Sequence, residues 1–341
     1  APLALPLAFA AEPLESIEAL GKALFFETNL SKNRTQACAT CHNPDRAFTD
    51  PRETEAGRAV SLGDDGTSLG DRNTPSAAYA SFSPTFHSND KGEYVGGQFL
   101  DGREKDLEGQ AGGPPLNPIE MAMPDKAAVV ARIRENPAYV AAFEKLFGKH
   151  VFASADAAYA AMTKAIAAFE RTPVFQPFSS KYDRYLRGEY KLTDDEELGR
   201  LLFFSQQFTN CNMCHQLHGS QMAARETFSN YHFHNIGVPA NAAVRKLNGA
   251  KPGHVDHGLL ENKAVADKAP ASKNEDGKFK VPTLRNVAVT APYMHNGVFK
   301  ELRTTVLFYN KYNSKSAKRQ INPETGKPWA APEVPGTLSL K

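Results

Sequence analysis

Tryptophan is nearly missing from this chain of 341 residues, with Trp329 its single example, and cysteine is scarce, with four. Four thiols are too few to staple a polypeptide of this length, which excludes a disulfide-held scaffold. A surplus of one charge is lacking too. Forty Lys and Arg stand against 38 Asp and Glu, a formal net charge of +2, which argues against a general binder of nucleic acid or acidic polymer. No run of about 18 uncharged apolar residues occurs, the length that a membrane-spanning helix needs. Strand patterns are few and short. What remains is a globular mixture, 41% hydrophobic and 23% charged, long enough for two domains or one large one.

The first residues read Ala1-Pro-Leu-Ala-Leu-Pro-Leu-Ala-Phe9-Ala10-Ala11. An apolar stretch followed by small residues resembles the end of an export signal and its cleavage site. A mobile apolar tail of the mature chain is the alternative. Export points to the periplasm, and residues 1–11 are set apart from the fold.

Two segments repeat each other. Leu20-Gly21-Lys22-Ala23-Leu24-Phe25-Phe26 leads into Cys38-Ala-Thr-Cys41-His42, and Leu198-Gly199-Arg200-Leu201-Leu202-Phe203-Phe204 leads into Cys211-Asn-Met-Cys214-His215. Each is a short apolar-periodic helix before the same cysteine motif, and Thr193 with Glu196 forms a capping box for the second. The motifs lie 173 residues apart, a duplicated domain rather than a solenoid, whose periods are about 20–50 residues. More helix is expected over 127–147, interrupted at Asn136-Pro137, and over the Ala-rich 155–170. Pro173 and Pro177 mark the crossing at 171–183. Gly/Pro/Asp-rich stretches at 43–76, 109–126 and 235–282 read as long loops, which need an internal anchor.

Cys-x-x-Cys-His uses every cysteine in the chain. Two thiols at this spacing add across the vinyl groups of a haem, and the adjacent His reaches the iron. A CxxC could also be a redox dithiol or half a zinc site. Neither requires His directly after each second cysteine, and neither explains the duplication. Two covalent c-type haems follow, and they would supply the anchor that the loops need. A filled second axial position at both irons would make a carrier; an open one would make an enzyme.

Around the two motifs the chain resembles the bacterial dihaem cytochrome c peroxidase superfamily. The resemblance rests on Arg72-Asn73-Thr74-Pro75, Gln98-Phe99-Leu100-Asp101-Gly102-Arg103, Gln110-Ala111-Gly112-Gly113-Pro114, Asn117-Pro118-Ile119-Glu120-Met121, and Pro282-Thr283-Leu284-Arg285-Asn286 leading into Thr290-Ala291-Pro292-Tyr293-Met294-His295. It implies a mainly α fold of two cytochrome c-like haem domains packed against each other, with long loops and little strand. The expected division is 12–175 for the peroxidatic haem, 176–310 for the electron-transfer haem, and an extension, 311–341, packing back on the first domain. It also implies one calcium ion between the haems, held by Asn73 and the carbonyls of Thr290 and Pro292.

Three departures narrow the resemblance. Members of the family place a distal His in the loop before Arg-Asn-Thr-Pro; here Ser61-Leu-Gly-Asp-Asp-Gly-Thr-Ser-Leu-Gly-Asp71 has none, so the first haem is expected to be open without an activation step. His87 is the nearest substitute, with a surface or loop-packing role as its default. Tyr309 stands where a Met ligand is usual, the mark of the MauG-like branch; a phenolate ligand stabilises oxidised iron. Tyr309 could instead be a core aromatic, and Met294 is a competing ligand that matches a packing residue. Leu100 replaces the usual inter-haem Trp.

The resemblance implies hydrogen peroxide as substrate at the haem of Cys38, Cys41 and His42, with Glu120 as acid–base group and Gln110 and Pro114 lining the pocket. His295 is a weaker candidate for a proton network, with a buried structural His as its alternative; for Glu120 the alternative is a salt-bridge partner. The haem of Cys211, Cys214 and His215, with Tyr309, would share the oxidising equivalents in a high-valent dihaem state. The expected partner is a small redox protein (cytochrome c or copper protein) or a protein substrate. Three functions are therefore expected in order: a peroxidase, an oxidase modifying Tyr or Trp of a partner protein, and a non-catalytic electron-transfer cytochrome.

Overall fold

The structure, a computed structural model, describes residues 13–268 and 271–340. The expected remnant at 1–11 lies outside them. Helices begin where a short polar side chain can accept from the first free amides. Ser16 does so for α1 (Ile17–Phe25), and α2 (Cys38–Cys41) follows at the first motif. Asp106 caps α3 (Leu107–Ala111) and Asp125 caps α4 (Lys126–Arg134). Behind Asn136, Pro137 takes the first position of α5 (Pro137–Phe147), so the Asn-Pro pair separates two helices, as its missing amide requires. Ser154 caps α6 (Ala155–Glu170), 16 residues long.

In the second half α7 (Lys181–Leu186) starts inside the expected crossing, on a Ser180–Asp183 capping box. The expected box of Thr193 and Glu196 opens α8 (Asp194–Phe203). The stretch 235–282 is less irregular than its composition suggests. Asn241 caps α9 (Ala242–Leu247) and Asn262 caps α10 (Lys263–Ala266), because Asn favours helix starts as well as turns. Finally, α11 (Leu302–Asn310) carries Tyr309. Among the described residues strand is confined to three antiparallel pairs of two-residue strands: β1 (His87–Ser88) with β2 (Tyr94–Val95), β3 (Phe233–His234) with β4 (Phe279–Lys280), and β5 (Ile321–Asn322) with β6 (Lys327–Pro328). The fold is mostly helical, with little strand. Among the described residues no helix is long and apolar enough to cross a membrane.

The main core lies in the first half, where α1 crosses α6. Leu20, Leu24, Phe25, Met162 and Ile166 are fully buried there, joined by Phe143 and Phe175. Each such side chain contributes roughly 1.5–3 kcal/mol. A β-carbon on Gly21 would lie 1.8 Å from the Ala165 carbonyl oxygen, so glycine is what permits the crossing. Cores in the second half are smaller; the one beside Tyr309 joins Phe299, Phe308 and Trp329.

Buried ion pairs tie distant stretches. Arg72 bonds both oxygens of Asp256 at 2.7 and 2.6 Å and also meets Asp101 and Glu261. Arg285 holds Asp183 with two hydrogen bonds, donates to the Glu226 carbonyl oxygen, and stacks on Phe178. Residues 311–340 differ from expectation. Their hydrogen bonds run to 235–308, as in Asn235 to the Val334 carbonyl oxygen, the Glu333 amide to Val238, and Tyr312 to Ile236. The extension packs on the second half, because Val334 fits over Gly277 and Trp329 over Phe299 and Phe308.

Candidate active site

Both cysteine motifs wind into a short turn that points the following imidazole inward. Nδ1 of His42 lies 3.1 Å from the Phe48 carbonyl oxygen, and Nδ1 of His215 lies 3.1 Å from that of Phe228. A carbonyl oxygen only accepts, so Nδ1 carries the proton and Nε2 keeps its lone pair. Burial lowers both imidazoles below their ordinary value, His215 to about 4, which keeps them neutral. This is the protonation state that ligates iron, with the second-shell hydrogen bond that fixes ring orientation.

The cysteines are free thiols, two half-buried in each motif. Burial pushes Cys38 and Cys41 up to about 12 and raises Cys214. A redox dithiol needs the opposite shift. Among the described residues no three His, Cys, Asp or Glu converge as metal donors, so the half-zinc-site reading lacks its second half. The paired thiols and inward imidazoles fit a c-type haem at each motif.

Different groups face the two motifs. At the first, Glu120 lies close enough to act electrostatically on both thiols. Its carboxyl is raised by burial, opposed by Arg103 and by the hydrogen bond from Asn117 at 2.8 Å. A tight turn holds it: the Glu120 amide donates to Asn117, and the Met121 amide to Pro114. Pro114 thus belongs to the turn that carries Glu120, while Gln110 stands on α3. The salt-bridge alternative for Glu120 has no counterpart here; its partner is the neutral Asn117.

The Ser61–Asp71 loop closes the other side. The Asp64 amide donates 2.7 Å to the Glu120 carbonyl oxygen. The Leu62 carbonyl oxygen accepts from Gln36 and Arg52, and Arg52 also reaches Cys41 Sγ at 3.2 Å. No imidazole is part of this layer. His87 sits exposed on the β1–β2 hairpin, with Nδ1 against the Thr85 carbonyl oxygen.

At the second motif the facing group is the half-buried Tyr309, whose hydroxyl is raised by desolvation and then by Cys214 and Cys211. Met294 packs with Tyr293, Phe299 and Phe308. His295 stacks on Phe279 at 3.6 Å, and its Nε2 is buried without a partner; burial pushes it down to about 3. It is held beside Asn73, whose amide donates to the His295 carbonyl oxygen at 2.7 Å. The Asn73 side-chain NH2 group is spent on the carbonyl oxygens of Ala59 and Arg58, leaving its oxygen for another partner. Asn73 and the 290–295 loop are therefore neighbours, with neutral oxygens of the kind calcium accepts.

Sequence reasoning missed Lys280 and Glu170. Lys280 is half-buried beside Leu100, whose carbonyl oxygen accepts its amide, and desolvation lowers its ammonium to about 7. Glu170, on α6 near Cys38, is raised by burial to about 8, with one oxygen unpartnered. A charged residue ending an Ala-rich helix carries no sequence sign of burial.

The family model for di-haem cytochrome c peroxidase matches residues 15–191. Methylamine utilization protein MauG of Paracoccus denitrificans is 55% identical over 96% of this chain and 82% of its own length. Cytochrome c551 peroxidase of Pseudomonas aeruginosa is 32% identical over 84% of this chain and 69% of its own. Among solved structures, the diheme peroxidase BthA of Burkholderia thailandensis superposes with a TM-score of 0.80 at 30% identity, covering 98% of this chain and 85% of that one.

Proposed function

The chain belongs to the di-haem cytochrome c peroxidase family, in its MauG-like branch, and is a haem oxidoreductase; from that premise we propose that it activates hydrogen peroxide at the motif of Cys38, Cys41 and His42 and stores oxidising equivalents at that of Cys211, Cys214 and His215. The observation that carries this reading is the asymmetry of the facing groups, a desolvated carboxyl at one motif and a half-buried phenol at the other.

Haem supplies the two-electron redox chemistry when bound. The residues do the rest. His42 and His215, oriented by the Phe48 and Phe228 carbonyl oxygens, would offer neutral Nε2 to the haem irons. Glu120, raised toward neutrality and held by Asn117, takes a proton from one peroxide oxygen and returns it to the other as water leaves. Gln110 and Pro114 shape the pocket around it. Tyr309, whose hydroxyl is raised by desolvation, would lose its proton to solvent on binding the second iron and as phenolate would supply it with negative charge. Asn73, Thr290 and Pro292 would hold one calcium ion. His295, unpaired and neutral, is assigned to packing against Phe279 before any proton relay. The domain division at about residue 175, with an extension from 311, and a periplasmic location complete the proposal.

How the stored equivalents are spent separates two readings. Reduction by a small cytochrome c or copper protein makes a peroxidase. The 55% identity to a methylamine utilization protein favours the other reading, an oxidase acting on Tyr or Trp of a partner protein. Stopped-flow mixing of the ferric protein with peroxide tests the shared step: a spectral change is expected, lost or strongly slowed in Glu120→Gln. An unchanged wild-type spectrum would leave a simple electron-transfer cytochrome. Steady-state turnover with reduced cytochrome c then divides peroxidase from protein oxidase.

A further inference from the structure

Residues 300–329 have no part in that reading beyond carrying Tyr309. They hold seven Lys and Arg, from Lys300 to Lys327, against Glu301 and Glu324, a surplus of five positive charges in a chain whose whole surplus is two. Elsewhere Arg34, Arg72, Arg171, Arg245 and Arg285 each meet a carboxylate. Among the described residues none of these seven does. Six are exposed, and the ammonium of Lys311 lies over the Phe308 and Tyr312 rings at 3.9 and 4.8 Å. Glu324 is already occupied. Its carboxylate accepts from the Lys300 and Glu301 amides at the start of α11, where the positive end of the helix also draws on its charge.

These cations share one surface because the segment folds on itself. The Gln320 side chain donates to the Lys311 and Ser314 carbonyl oxygens. The Trp329 amide donates to Gln320, and its indole N–H donates to the Arg319 carbonyl oxygen at 2.9 Å. Glu324 ties the β5–β6 hairpin, which carries Lys327, to α11. Apolar groups lie among the charges. Val306, one turn along α11 from Arg303, is 61% exposed, and Ile321 is 38% exposed. A groove of about 380 Å³ opens between Val298, Lys327, Pro328 and Trp329. Trp329 packs on Phe308 at 5.5 Å, and Phe308 on Tyr309 at 6.2 Å, so this surface backs onto the phenol that faces the second motif.

We propose that residues 300–329 dock an acidic electron-transfer protein, its carboxylates set against the unpaired cations and its apolar patch against Val306, Ile321 and the groove. The partner's redox role rests on the reading above; the docking does not. An apolar centre inside a polar, charged rim is the anatomy of a protein interface, and unpaired charge of one sign steers a partner of the other. A membrane-surface helix would keep its apolar side free, whereas α11 buries Phe308 against Phe299 and Trp329. Two encounters, each passing one electron from the reduced partner to the oxidised protein, would return it to its starting state for each peroxide consumed.

Binding to the ferric holoprotein in the absence of peroxide tests the docking, so the outcome does not depend on the peroxide reading. The probe is cytochrome b5, an acidic electron-transfer protein, with mitochondrial cytochrome c as its basic counterpart. Saturable binding of cytochrome b5 at low salt is expected, and none of cytochrome c. Raising the salt to about 200 mM should weaken it by about tenfold or more. Lys315→Glu, Lys318→Glu, Arg319→Glu and Lys327→Glu together should weaken it by a similar factor. The same reversal at four exposed lysines elsewhere, Lys149, Lys191, Lys246 and Lys251, should leave it near the unsubstituted value. Absence of binding overturns the proposal, and so does equal weakening by the two sets. Binding to phosphatidylglycerol vesicles but not to cytochrome b5 overturns it as well. If the charge-reversed protein does not fold, amide exchange on the unsubstituted protein decides. Added cytochrome b5 should protect 300–329, and protection confined to other segments overturns the proposal.

Discussion

Around Cys38-Cys41-His42 and Cys211-Cys214-His215 the chain repeats one device, an imidazole whose Nδ1 is held 3.1 Å from a carbonyl oxygen, Phe48 in one half and Phe228 in the other. On the opposite side the halves part. Glu120, on a Pro-rich turn stapled to the Ser61–Asp71 loop, faces the first motif; Tyr309, on α11, faces the second. The packing behind them differs as well, with α1 sunk under α6 and α8 bare. Duplication thus preserved what attaches and orients the cofactor. Divergence lies in the groups that face each motif and in the packing behind them; under the proposed reading the facing groups give one half proton transfer and the other charge storage.

The comparison can be broken at several points. Leu24→Ala should cost about 2–5 kcal/mol in denaturant unfolding of the holoprotein, while Leu202→Ala should stay within about 0.5 kcal/mol; equal costs would erase the packing asymmetry. Glu120→Gln should slow the peroxide reaction by about 10²-fold or more without altering the second haem's spectrum. Tyr309→Met should do the reverse, shifting the second haem's spectrum and raising its potential while peroxide still reacts at the first. If Tyr309→Met left every spectrum unchanged, the phenol would be a packing aromatic.

A smaller effect comes from Glu170. Burial raises its folded pKa from 4.5 to about 8, so between those values the native state holds a proton that the unfolded chain has released. Its contribution is fully present below pH 4.5 and declines by roughly 1.4 kcal/mol per pH unit as pH rises toward 8. Glu170→Gln should flatten that slope in urea titrations from pH 5 to 8. The smallest change is expected from His87→Ala, with both haem spectra and the peroxide rate at wild-type values.

Much of the site was legible because it is local. Two cysteines and a histidine within five residues announce their chemistry wherever they fall. Asn117 and Glu120 sit in one turn, and Thr193 with Glu196 forecasts the start of α8, because capping depends on neighbours in the chain. The Arg72 cluster was not legible, since Asp256 lies 184 residues from Arg72, and neither was the Asp183–Arg285 pair. Both residues of that pair read as ordinary surface charges until the fold buries them together. Composition misled at 235–282, where Asn241 and Asn262 cap short helices; the anchoring of the extension was not legible either, since it depends on the shape around Gly277 and Phe299 rather than on any motif of its own.

Asp64 has a consequence for time rather than for chemistry. Although burial works against its charge, hydrogen bonds from Thr35, Ser31 and Asn33 hold its pKa below the ordinary carboxylate range, and its amide is fastened to Glu120. With its carboxylate ionised, Asp64 keeps the Ser61–Asp71 loop tied to Asn33 and Thr35 at neutral pH, and under the proposed reading no activation step is expected before peroxide reacts. Progress curves should run linear from mixing, with no induction phase and no gain in rate when the protein is first incubated with a reductant.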